Sequence, residues 1–171
     1  MIDDMFLLSQ SDSSLGELKS STFLLNGLLN ELHVTFSLLS ELKNINFTVK
    51  RSDPVEICGD PALLKRSLSN IIDNSIKFTP CGRDVRLYFE EKNENVAIYV
   101  EDNGTDISDK YKDRIFDSFF RVNLSRTMGT GGAGLGLSIC KDIIDFHHGK
   151  IEVMSKIGEG SRFIVTLPKK Q

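Results

Sequence analysis

Tryptophan is absent from the 171 residues, proline occurs four times and cysteine three times. Cys58, Cys81 and Cys140 are odd in number, widely spaced and include no Cys-x-x-Cys pair. That argues against a disulfide-stapled scaffold and a structural zinc centre, and it fits a reduced, cytoplasmic compartment. Long apolar runs are missing as well. None approaches the roughly 18 residues that span a bilayer, and no signal peptide is present, so any membrane anchor of a parent protein is expected outside this chain. Neither sign of charge dominates. A net charge of −3 gives no electrostatic argument for nucleic acid or for direct membrane contact. What remains, 40% hydrophobic and 26% charged residues, is the composition of a globular domain long enough to bury one core.

Glycine is concentrated rather than scarce. Five of the 13 glycines fall between Gly129 and Gly136, and an apolar helical pattern (Leu135, Leu137, Ile139, Ile143, Ile144) starts at once. Glycines allow close backbone approach to a ligand, and a helix start presents unpaired N–H groups to an anion. Taken alone, the stretch is equally a surface loop before a core helix.

The rest of the chain divides into clear periods. Residues 1–15 read as the end of a preceding helix followed by a linker, and 16–171 as the domain proper. Ser20 to Lys43 has helical periodicity, with Ser20 or Ser21 as N-cap and His33 as a partly buried surface histidine. Ile45 to Arg51 and Val55 to Cys58 read as short strands. Asp60 and Pro61 open a second helix that runs to Phe78. Val85 to Glu91 and Val96 to Glu101 alternate as an antiparallel hairpin. A short helix at Asp109 to Ile115 precedes a loop over 121–133, then a helix at 135–147 and strands at Lys150 to Ser155 and Ser161 to Leu167. The predicted class is α+β, a two-layer sandwich with a mixed five-stranded sheet and three helices on one face.

Four features carry chemistry. Asn70, Asn74 and Lys77 share one helix face, where amide oxygens suit a hard cation and the lysine suits a phosphate. The same pattern is commonplace on an amphipathic helix. Asp102-Asn103-Gly104 follows a strand, where a carboxylate can accept from an exocyclic amine, although such turns are also common. Phe116-x-x-Phe119-Phe120-Arg121 offers aromatic cover and a cation, or core packing for at least two of its phenylalanines. The glycine stretch is the fourth.

Asn70-x-x-x-Asn74-x-x-Lys77-Phe78-Thr79, Asp102-Asn103-Gly104, Phe116-x-x-Phe119-Phe120-Arg121, Gly132-Ala133-Gly134-Leu135-Gly136-Leu137 and Gly158-Glu159-Gly160-Ser161 together resemble the N, G1, F, G2 and G3 boxes of the catalytic and ATP-binding domain of sensor histidine kinases. Order and spacing agree over roughly residues 20–168. The resemblance implies the Bergerat ATP-binding fold and a protein-histidine kinase using ATP and Mg²⁺. By position, Asn74 would hold the metal, and Asn70, Lys77 and Arg121 would act at the phosphates. Phe78, Gly104, Ile107 and Phe120 would line the nucleotide, Asp102 would bind the adenine amine, and Ser161 would sit near the base. Residues 121–133 would form a lid over ATP. Backbone around Gly132, Gly134, Leu135, Gly136 and Leu137 would cradle the triphosphate.

The resemblance also implies partners: a histidine-bearing dimerisation domain of the same kinase and, downstream, a response regulator. His33, His147 and His148 lack the phosphoacceptor context, so this chain alone, expected as a monomer, is not expected to autophosphorylate. Related gyrase-type ATPases carry a glutamate where Asn70 stands, which favours transfer over hydrolysis here. The alternatives are a degenerate or regulatory nucleotide-binding module, or an anti-sigma-type serine kinase. One departure stands out. Asp106 occupies the place of the second glycine of the G1 box, and on sequence it is expected to weaken nucleotide binding.

Overall fold

A computed structural model describes residues 19–50, 52–122 and 133–170. In chain order the elements are β1 (Ser21–Leu24), α1 (Leu25–Leu42), β2 (Asn46–Val49), β3 (Glu56–Gly59), α2 (Pro61–Phe78), β4 (Asp84–Lys92), β5 (Asn95–Asp102), α3 (Asp109–Lys112), a 3₁₀ turn (Arg114–Phe116), α4 (Gly136–Phe146), β6 (Lys150–Lys156) and β7 (Gly160–Pro168). Five strands form one sheet in the order β2-β4-β5-β7-β6, with β2 parallel to β4 and the other pairs antiparallel. The expected mixed five-stranded sheet is therefore present.

The registers put one apolar row on the helix side. Leu87 faces Val100, which faces Phe163, and Phe89 faces Ile98, which faces Val165. These side chains are buried with Leu25, Leu29 and Leu32 of α1, Leu68, Ile71 and Ile72 of α2, and Cys140 and Ile144 of α4. The outer face carries the stacked pair Tyr88 and Tyr99, with centroids 4.7 Å apart, and the Arg162–Glu101 ion pair at 3.0 Å. Alternation along each strand thus sorts the two faces.

The first segment differs from its sequence reading. Residues 21–24 are not the start of a helix but a strand, which pairs antiparallel with β3 outside the main sheet. Helix α1 begins at Leu25, with Leu24 at the N-cap position and no side-chain cap, so neither Ser20 nor Ser21 caps it. The apolar run Phe23-Leu24-Leu25 satisfies either period, and pairing with β3 gives residues 21–24 their backbone partners as a strand. At α2 the expectation holds: Asp60 accepts from Ala62 N at 3.0 Å and Leu63 N at 3.1 Å, with Pro61 in the first turn.

A buried histidine joins two helix ends. His147 is wholly buried; its Nε2 accepts from the Asp60 backbone N–H at 2.9 Å, and its Nδ1 lies 2.7 Å from the Ile143 carbonyl. An acceptor at Nε2 and a donor at Nδ1 define a neutral imidazole with its proton on Nδ1. Replacing His147 by Phe keeps the ring volume but orphans the Asp60 N–H, an expected loss of about 2 kcal/mol. That corresponds to a fall in Tm of about 4–8 °C in a chain of this size, measurable by calorimetry. His33, by contrast, is half-buried on α1 with its ring 5.5 Å from that of Phe47.

The three cysteines are free. Burial pushes the Cys140 thiol up to about 12, and its Sγ donates to the Ser67 carbonyl at 3.2 Å, so it is a packing group rather than a nucleophile. No helix among the described residues is long and apolar enough to cross a membrane.

Candidate functional site

The site grows from the end of the inward row of the sheet. Along β5 the positions 96, 98 and 100 face the helices as aliphatic side chains, and the next one is Asp102. Its partner across the ladder is Ser161, the corresponding end of the inward row of β7. A carboxylate therefore stands where the core pattern calls for an apolar residue. Burial raises the Asp102 carboxyl above its ordinary value, and the amide of Gly104, the Ser75 side chain and the amide of Ser161 offset part of that rise. The Gly104 N–H donates to Asp102 Oδ1 at 3.0 Å.

Helix α2 closes this corner. Its last turn meets the segment after β5: Thr105 N donates to the Phe78 carbonyl at 3.1 Å, and Thr105 Oγ1 does so at 3.2 Å. A Cβ on Gly104 would come within 2.7 Å of the Phe78 carbonyl oxygen and 2.8 Å of Thr79 Oγ1, so only glycine permits the crossing. Two buried hydroxyls on this side of α2, Ser75 Oγ and Thr79 Oγ1, have no hydrogen-bond partner among the described residues. The Ser75 hydroxyl sits beside the Asp102 carboxyl without completing a well-formed bond to it. Buried polar atoms are normally paired, so these two hydroxyls leave hydrogen-bonding capacity open beside Asp102 and Gly104.

Asn70, Asn74 and Lys77 are half-buried along α2, as their spacing predicts. Asn70 Nδ2 donates to the Gly136 carbonyl at 3.3 Å, which ties this face to the first residue of α4. Helix α4 has no side-chain cap, so the N–H groups of its first turn, beginning at Gly136, are not taken by a cap. Leu135 is buried in a small cluster with Ile139, Ile143 and the partly buried Leu63, while Leu137 packs on the main core. Their side chains anchor the helix start.

The aromatic group meets the glycine stretch directly. Phe119 N donates to the Gly134 carbonyl at 2.9 Å, and Gly134 has φ +75 with its Cβ position 3.0 Å from the Phe119 backbone. Phe119 itself has φ +64 and is exposed, whereas Phe116 and Phe120 pack on the core. Phe120 lies 5.7 Å from the Tyr111 ring and 4.4 Å from the Arg114 guanidinium. Phe78 is half exposed, with Lys77 Nζ 5.5 Å from its ring centre. Arg121 is half-buried directly after Phe120, and Ile107 is partly buried with its N–H donating to Ser155 Oγ at 2.8 Å. Gly132, most of the proposed lid, and the stub 1–15 lie outside the described residues.

Asp106 is where reading the sequence missed a role. It does not take a left-handed backbone angle. Its Oδ1 accepts from Gly158 N at 3.0 Å and from Gly160 N at 3.4 Å, in the turn between β6 and β7. Fifty-odd residues of separation hid this pairing, and no local pattern announces it.

A sheet with a helical layer on one side, a buried aspartate at a strand end and an uncapped glycine-led helix start define a nucleotide-binding ATPase domain. The chain belongs to the Histidine kinase-, DNA gyrase B-, and HSP90-like ATPase family, whose model matches residues 59–171. It is 34% identical over 170 residues to the sensor histidine kinase CusS of Escherichia coli (strain K12), covering 98% of this chain and 35% of CusS. The chain thus spans about a third of that relative's length. Its fold is similar to the nucleotide-free catalytic domain of histidine kinase ThkA, with a TM-score of 0.79 and 32% identity over 89% of this chain and 97% of that one. It also resembles ThkA in its complex with the response regulator protein TrrA, with a TM-score of 0.76 and 27% identity over 98% of this chain and 49% of that one.

Proposed function

We propose that this chain binds Mg²⁺–ATP where α2, β5, β7 and the start of α4 meet, and serves as the catalytic domain of a two-component sensor histidine kinase. One observation carries the reading: the buried Asp102 carboxyl with the unpartnered hydroxyls of Ser75 and Thr79 around it. A carboxylate oxygen not engaged by Gly104 accepts from an exocyclic amine, and the hydroxyls bond the ring nitrogens directly or through water. Gly104 lets the end of α2 close over this corner, Ile107, Phe78 and Phe120 border the base, and Ser161 flanks it across the ladder.

The phosphates lie toward α4. Asn74 would hold the ion, with Asn70 beside it, and the ion would neutralise phosphate charge. Lys77 and Arg121 supply cationic charge, and first-turn amides of α4, with the backbone of Gly132 and Gly134 to Leu137, hold the phosphate oxygens. Residues 121–133 act as the lid.

Asn70 cannot take a proton from water at neutral pH, which favours transfer to an external group over hydrolysis. The acceptor is a histidine on a dimerisation domain, and a response regulator receives the phosphoryl group next. Among this chain's own histidines, His147 is buried with both ring nitrogens engaged, and none of His33, His147 and His148 has the phosphoacceptor sequence context.

Titration with a fluorescent ATP analogue tests the reading. Saturable, Mg²⁺-dependent binding is expected, and Asn74→Ala should weaken it by at least about tenfold. Radiolabelled ATP should leave no stable label on this chain alone but label a dimerisation domain supplied in trans. Absence of magnesium-dependent binding would overturn the proposal.

A further inference from the structure

The turn between β6 and β7 contains Gly158 at φ +79 and Gly160 at φ +91. Left-handed positions of this kind turn successive backbone N–H groups toward a common point and create a small anion-binding concavity. Here the anion comes from the chain itself, since the Asp106 carboxylate takes the N–H groups of both glycines. Ser155 completes the fastening: its hydroxyl donates to the Gly160 carbonyl at 2.8 Å and accepts from Ile107 N at 2.8 Å. Lys112 Nζ in turn donates to the Ser155 carbonyl at 2.6 Å. Segment 105–107 and the turn 158–160 are therefore buttoned together from both sides.

What the button holds is the base end of the site. A Cβ at Gly160 would come within 2.1 Å of the Asp102 carbonyl oxygen, so the turn presses directly on the residue that would read the base. Ser161, paired with Asp102, reaches the Thr105 carbonyl at 3.4 Å through its hydroxyl.

We propose that Asp106 is a positioning residue of the nucleotide site: its carboxylate is the built-in anion of the β6–β7 turn and holds Gly160 and Ser161 against Asp102. Replacing it by the glycine common in the family then weakens nucleotide binding and blurs base discrimination, the reverse of what the sequence suggests. The inference rests on the nucleotide reading above. It assigns no contact between Asp106 and the ligand; the carboxylate acts through the turn.

The test compares the wild-type chain with Asp106→Gly, Asp106→Ala and Asp106→Asn. ADP and GDP are competed against a fluorescent ATP analogue with Mg²⁺ present, and amide hydrogen exchange is read at Gly158 and Gly160. Losing two charge-assisted hydrogen bonds is expected to cost D106G and D106A about tenfold in ADP affinity. Their ADP-over-GDP preference should narrow and both glycine amides should exchange faster. D106N retains an acceptor oxygen and should stay within about threefold of wild type. A general loss of stability would not change the ADP-over-GDP ratio. If D106G binds ADP as tightly as wild type or more tightly, or the base preference is unchanged in both D106G and D106A, the inference fails while the nucleotide reading stands. No saturable binding by the wild-type chain would remove the nucleotide reading and this inference together.

Discussion

Asp102→Asn is expected to weaken ATP analogue binding by about tenfold to a hundredfold while leaving the fold as stable as wild type or more so. The two oxygens of the carboxylate have separate tasks. One accepts the Gly104 N–H at 3.0 Å, and in the proposed complex the other accepts from the amine of the base. An asparagine has one oxygen and one NH₂. Whichever way it turns, it either abandons the Gly104 amide or points a donor at a donor, and buried mismatches of this kind cost more than the lost bond. Isothermal titration of wild type and D102N measures the loss directly.

The stability half of this expectation follows from burial. Desolvation raises the Asp102 carboxyl in the folded chain above its ordinary value, so the folded state holds the proton more tightly than the unfolded state. Stability then declines as pH rises from the ordinary carboxylate range through the raised value, and it stays lowered at neutral pH. The neutral amide removes that penalty. D102N should therefore match or exceed the wild-type Tm at pH 7, with the advantage disappearing at acid pH. Nucleotide binding by wild type has the opposite sign: it falls as pH drops through the raised value, earlier than for a typical exposed carboxylate. A D102N chain that melts well below wild type at pH 7 would show that the carboxylate is a structural group and not one kept for a ligand.

Gly160→Ala is expected to cost at least about 3 kcal/mol and to remove nucleotide binding with it. Gly160 has φ +91, where an L side chain is strained whatever space surrounds it. Space is also lacking. The added Cβ would meet the Asp102 carbonyl oxygen at 2.1 Å and the Asn103 Cα at 2.6 Å, both backbone atoms that cannot swing aside. Relief requires β5 and β7 to part at the end of their ladder, where Asp102 and Ser161 sit side by side. A fall in Tm of about 6–12 °C follows for a chain of this size, readable by calorimetry. Gly158→Ala is the informative control, because its Cβ position meets nothing within 4 Å and only the backbone angle is strained. A G160A chain with wild-type melting and wild-type nucleotide affinity would contradict the close packing of these two strands.

Much of the site was legible because its residues are local patterns. Asn70, Asn74 and Lys77 lie on one helical face by spacing alone, and Asp102 is conspicuous as a carboxylate ending an alternating apolar strand. Asp60 and Pro61 announce the start of α2 through side-chain capping, a contact made within three residues. Ser20 and Ser21 make the same local announcement and mislead, because the partner that decides their conformation is β3, more than thirty residues away. The roles of His147 and Asp106 were hidden for the same reason. Nothing near His147 in sequence signals that its ring accepts the Asp60 amide, and nothing near Asp106 signals the glycine amides of a later turn.

Period, capping and spacing along the chain determined the order of elements, the apolar face of each strand and helix, and the residue types available for a nucleotide. They could do so because each depends on neighbours within one or two turns. Only the tertiary structure decided which strands pair, that Asp102 is buried beside unpartnered hydroxyls, and that Asp106 accepts the glycine amides of the β6–β7 turn. Those outcomes depend on desolvation and on hydrogen bonds between segments far apart in sequence, whose distances come into being only when the chain closes on itself.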